Sequence, residues 1–203
     1  MASKETITVW VPWGTRRALG EFTAAGKATA RQIKEDRRPP EDASAVERAL
    51  LRATLAAELA ALRRSGQLLD TIPAVLEYGA GLELAEREGF AGEHPAPPAD
   101  ALLPGGWPGR REAGYAEHLT ARVDADLVAK VRAACWATSA EAIGKLREWR
   151  DGHPFSEFGM PGPSAMEVYN QLSAKVTTPG AVWRAAIARV LPGPLVPPGE
   201  PEA

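Results

Sequence analysis

The sequence predicts a mainly α-helical chain with a short two-stranded antiparallel β-ribbon, built from two strand–helix–helix units with extra helices added. Three observations predict it. Residues 5–11 and 119–123 alternate in the period of two that a half-buried strand requires. Each is followed by apolar residues at helical spacing. A segment rich in Pro and Gly, 91–114, separates the two units.

In the first strand Ile7, Val9 and Val11 point to one face and Thr6, Thr8 and Trp10 to the other. Pro12 stops it. A helix over 14–25 carries Ala18, Leu19 and Phe22 on one side, with Gly26 placed as its C-terminal stop. A second short helix spans 28–37 and ends at Pro39-Pro40. The strongest helical pattern covers 42–64. Val46, Leu50, Leu51, Leu55, Leu59 and Leu62 mark its apolar face, Ser44 or Asp42 caps its start, and Ser65-Gly66 ends it. Another helix spans 73–88.

Beyond the linker, Leu119 to Val123 form the second strand, and a helix over 126–136 aligns Leu127, Val128, Val131, Ala134 and Cys135. Thr138-Ser139 read as a turn and N-cap opening a second helix over 140–150, with Ile143, Leu146 and Trp149 inward. Gly152-His153-Pro154 ends that unit. Two further helices are expected at 164–176 and 179–191, the latter with Thr178 as cap and Pro179 at its first position. The expected regions are therefore 1–40, 41–90, 91–114, 115–154, 155–192 and a disordered tail, 193–203.

Composition bounds the function. The 203 residues carry 24 Lys+Arg against 26 Asp+Glu, a net charge of −2. That total hides a segregation. Residues 1–40 hold eight basic and four acidic residues, a net of +4; residues 41–100 hold five and eleven, a net of −6. The rest balances. A basic first module beside an acidic helical one leaves room for a local polyanion-binding surface. The single cysteine, Cys135, excludes an intramolecular disulfide and suits a reducing compartment. No apolar run is long enough for a membrane span. Residues 1–8 lack a signal-peptide core, so the expected location is cytoplasmic. His94, His118 and His153 are dispersed, and no metal or cofactor is expected.

Residues 6–40 and 118–154 repeat one order: strand, helix, short turn, helix, proline stop. Setting Ile7 on Leu119 places Thr8 on Thr120 and Trp10 on Arg122, and the inward and outward parities agree. Each unit is too small to bury a core alone, whereas two units pairing their strands antiparallel can. In element order and length, residues 5–38 and 118–151 resemble the ribbon-helix-helix family of DNA-binding proteins. The resemblance implies a ribbon lying in the DNA major groove, here from tandem ribbon-helix-helix-like units in one chain.

On that resemblance the outward residues Thr6, Thr8 and Trp10, with His118, Thr120 and Arg122, would meet base edges. Arg122 suits a guanine. The second helix of each unit would aim free backbone N–H groups at phosphate, at Lys27 and Thr29 in one unit and Thr138 and Ser139 in the other. Arg31, Lys34, Arg37 and Arg38 would add flanking phosphate contacts. Plainer roles exist for the same residues. Outward threonines suit any solvated strand, Trp10 can pack under the acidic helices, Ser139 can be a simple cap, and the basic run can pair with Glu35 and Asp36.

Enzyme signatures fail on inspection. Gly20 to Thr29 has five residues between its glycines and Ala28 after Lys27, so it is no phosphate loop. Cys135 falls on an apolar stripe, as a buried small residue would. Asp124 and Asp126 suit a helix start. The expected function is thus non-enzymatic, sequence-specific binding of double-stranded DNA, as a transcriptional repressor or a plasmid partition or maintenance factor. Self-association into a dimer or higher oligomer is a further possibility. The alternative is a helical interaction or oligomerisation protein with no nucleic-acid role, using the face over 46–62.

Overall fold

A computed structural model describes residues 3–98, 115–153 and 161–193. Along the chain these form β1 (Lys4–Val11), α1 (Thr15–Asp36), α2 (Ala45–Arg64), α3 (Ile72–Glu86), β2 (Glu117–Asp124), α4 (Ala125–Gly152), α5 (Pro163–Ser173) and α6 (Pro179–Val190). The fold is mainly helical with one two-stranded antiparallel sheet, as the sequence predicts. Most of the expected linker (99–114), the segment 154–160 and nearly all of the expected tail (194–203) lie outside the described residues.

The two strands pair with each other within the chain. Thr8 stands opposite Thr120, Thr6 opposite Arg122 and Trp10 opposite His118. Alternation then does its work on both strands. Ile7, Val9, Val11, Leu119, Ala121 and Val123 are all buried on the inner face. They meet Leu19 of α1, Val75, Leu76 and Ala80 of α3, Val128, Val131 and Ala134 of α4, and Val182, Trp183, Ala186 and Ile187 of α6 in one core cluster. A fully buried valine in such a layer contributes about 1.5–3 kcal/mol.

Beneath the ribbon, α3 and α6 pack at unusually close range. A Cβ on Gly79 would lie 2.2 Å from the carbonyl oxygen of Ala186, so only glycine permits this approach. The seam is also pinned by charge. The buried Glu83 carboxylate accepts from Arg87 at 2.7 Å and from Arg189 at 2.5 Å, and Arg189 also engages Glu86.

Helix starts follow their sequence signals. Ser44 and Glu47 form a reciprocal capping box on α2. Thr178 caps α6 with Pro179 behind it. The Asp124 carboxylate accepts the N–H groups of Asp126 and Leu127 at the start of α4.

Two expected breaks do not occur. The helices expected over 14–25 and 28–37 are one helix, α1, and those over 126–136 and 140–150 are one helix, α4. Neither unit therefore contains the helix–turn–helix part of the resemblance. At Gly26 the reason is packing: a Cβ there would fall 2.7 Å from the Leu69 carbonyl oxygen, so this glycine marks a close crossing rather than a stop. At 138–139 the hydroxyls are satisfied inside a continuing helix. Thr138 Oγ1 donates back to Ala134 and Cys135, and Ser139 Oγ accepts from the Thr177 N–H at 2.9 Å.

The apolar face read over 46–62 also divides. Leu59 is buried and Leu55 and Leu62 partly buried, in a small cluster with Ala30, Ile33 and Leu68. Val46 and Leu50 remain exposed at 78% and 67%. Beyond α4, α5 is held by Trp149, whose Nε1 donates to the Ala165 carbonyl at 3.0 Å and whose ring meets Tyr169. Among the described residues no helix is long and apolar enough to cross a membrane.

Candidate nucleic-acid interface

A strand whose inner residues are anchored in a core must present its alternate residues outward. All six predicted outward residues, Thr6, Thr8, Trp10, His118, Thr120 and Arg122, are exposed on the same face of the ribbon. At the centre the hydroxyls of Thr8 and Thr120 stand 3.4 Å apart. Trp10 is 55% exposed and meets the His118 ring edge-on, with centroids 5.7 Å apart. It does not pack under the acidic helices. Among the described residues no hydrogen bond or ion pair engages the Arg122 guanidinium.

The ends of the ribbon differ. Beyond Thr6 and Arg122, Glu5 pairs with Arg132 and Lys4 with Glu77, each at 2.6 Å. At the other end the chain turns through Pro12, Trp13 and Gly14 into α1, and Trp13 is 72% exposed. Arg16 and Arg17 lie exposed in the first turn of α1, with Arg17 paired to Glu21. Arg184 of α6 donates to the Trp10 carbonyl at 3.3 Å and stacks 4.2 Å from the Tyr115 ring centroid. Sequence reasoning misses Trp13, Arg16 and Arg184. Trp13 and Arg16 follow the strand stop directly, and that adjacency is a usable signal. Nothing local ties residue 184 to residue 10.

The predicted phosphate contacts divide. Lys27, Arg31 and Lys34 recur at i, i+4 and i+7, so they form one exposed stripe on α1. None of the three has an ion-pair partner among the described residues. Thr29 faces away from that stripe, and its hydroxyl donates to the Ala25 carbonyl. Thr138 is exposed but sits within α4, and Ser139 is fully buried. Because α1 and α4 are unbroken, no helix N-terminus exists at 27–29 or 138–139, and the anion-binding geometry expected there is absent.

The actual N-termini of α1 and α4 lie at opposite ends of the ribbon. Each is already answered by a carboxylate: Glu117 Oε2 accepts the Arg16 N–H at 3.2 Å, and Asp124 caps α4. Cys135 is buried, and burial pushes its thiol up to about 12. Among the described residues no three His, Cys, Asp or Glu side chains are grouped to hold a metal ion. Comparison with protein-family models, with curated proteins and with solved structures finds no match to this chain.

Proposed function

We propose that this protein binds double-stranded DNA through the outward face of its intrachain β-ribbon. The supporting observation is that face itself. Six hydrogen-bonding or aromatic side chains stand exposed in two adjacent rows, on a ribbon whose other side is fixed in the core. A two-stranded ribbon fits the major groove, and threonine and arginine can meet base edges there. The Lys27, Arg31 and Lys34 stripe supplies cations for phosphate, as side chains rather than through a helix start. In this reading the protein acts in the cytoplasm as a non-enzymatic regulator or partition factor on DNA.

The test is titration of fluorescent duplexes at several salt concentrations. Arg122→Ala should relax sequence preference. Lys27→Ala should weaken all sequences alike and reduce the salt slope by about one. Failure of any duplex to bind at low salt, or unchanged binding by both variants, rejects the proposal. A second reading, self-association through α2, is favoured by the exposure of Val46 and Leu50. It predicts that Leu50→Asp changes the sedimenting mass while no duplex binds.

A further inference from the structure

We infer that the ribbon reads an asymmetric base sequence, with its specificity divided between Arg122 at one end and Trp10 at the other. This rests on the duplex-DNA reading above. The argument is one of symmetry. An antiparallel ribbon made by two identical chains has a two-fold axis through its central pair, and its target then shares that axis. Here the central pair is Thr8 and Thr120, one residue type facing itself. A two-fold at that point would relate Thr6 to His118 and Trp10 to Arg122. Both relations fail in chemistry.

Arg122 offers a planar fork of donors suited to guanine O6 and N7. Trp10 offers an exposed apolar ring backed by His118, and Trp13 beyond it extends the aromatic end. Such a surface suits contact with a thymine methyl and lacks the two-pronged donor fork that reads guanine O6 and N7 together. Fusion of both strands into one chain removes the constraint that keeps the two ends alike.

The geometry also sets the size of the element read. Thr6 and Trp10 are four residues apart, about 13 Å of strand, which matches about four base-pair steps at roughly 3.4 Å. The structure therefore points to an element of about four to five base pairs without internal dyad symmetry. Two such elements can still be arranged as an inverted repeat by two copies of the chain.

The experiment is selection of bound duplexes from a randomised pool with the full chain at low salt, repeated for two variants. The expected motif carries a guanine at one end. Arg122→Ala should lose the guanine preference by roughly five- to hundredfold, and Trp10→Ala should lose preference only at the opposite end. A motif with an internal palindrome, or two variants that flatten the same positions, overturns the inference and leaves duplex binding standing. Absence of any retained duplex overturns the duplex reading and this inference with it. Circular dichroism checks that both variants fold. If either alanine variant does not, Trp10→Gln and Arg122→Gln give the same comparison, since glutamine carries neither an apolar ring nor a guanidinium fork.

Discussion

Gly79→Ala tests the seam that carries the ribbon. The added methyl would lie 2.2 Å from the Ala186 oxygen, 2.7 Å from its carbonyl carbon and 2.9 Å from its Cα. Ordinary contact begins near 3.4 Å, so the clash is more than about 1 Å deep. All three atoms are backbone, so no rotamer change relieves it, and α3 and α6 must part. Overpacking of this kind costs about 1–3 kcal/mol or more. Alanine is also the better helix former, by about 1 kcal/mol. A clash with backbone alone falls in the upper part of the overpacking range, about 2–3 kcal/mol, so it wins and leaves a net loss of about 1–2 kcal/mol. For 203 residues that is a fall of roughly 2–8 °C in Tm.

Gly81→Ala is the matched control. It lies two residues further along α3, and its Cβ would meet nothing within 4 Å. It should gain up to about 1 kcal/mol, so Tm should rise. Thermal and urea unfolding followed by circular dichroism measure both. If Gly79→Ala matches Gly81→Ala in sign, the close α3–α6 approach is refuted.

Three further outcomes follow from the same structure. Ser139→Ala removes the acceptor of the half-buried Thr177 N–H, and should cost about 1 kcal/mol in urea unfolding, while leaving duplex affinity unchanged. The Asp70 carboxylate is held below its usual range by the two-pronged Arg63 guanidinium, with contacts of 2.7 and 2.6 Å. A lowered folded-state value gives stability that is complete above the ordinary carboxylate range and lost as pH falls through the folded value. Asp70→Asn should therefore flatten the acid limb of the stability–pH curve while lowering stability at neutral pH. Cys135, buried with its thiol raised to about 12, should resist a thiol reagent at pH 8 in native protein and react once per chain in denaturant.

Both strands and their faces were legible in the sequence, because period-two alternation assigns every side chain at once. Their antiparallel pairing was expected from the repeat, but its register was not legible, since residues 4–11 and 117–124 meet only through contacts more than a hundred positions apart. Starts of helices were legible where the cap acts locally, as at Ser44, Asp124 and Thr178. Interruptions were misread where a punctuating residue had a distant partner. Gly26 serves the Leu69–Asp70 backbone and Ser139 serves Thr177, and neither partner is visible within a local window. The leucine pattern over 46–62 failed for another reason: two different faces of α2 are apolar, and only one meets α1 and the chain around Leu68.

The corrected helices change how the proposed interface must work. Had each unit broken into two helices, two free N-termini would have been available to grip phosphate. The chain instead places its two real helix starts at the ends of the ribbon and fills both with its own carboxylates, Glu117 and Asp124. A phosphate brought to either start would meet a like charge already in place. On the DNA-binding reading, backbone attraction therefore falls to side-chain cations, chiefly Lys27, Arg31 and Lys34, and sequence choice falls to Arg122 and Trp10. These groups sit on different elements, one on a helix flank and the other on a strand face anchored in the core. Affinity and specificity should then be separable by substitution, because removing a charge from α1 leaves every inward contact of β1 and β2 intact.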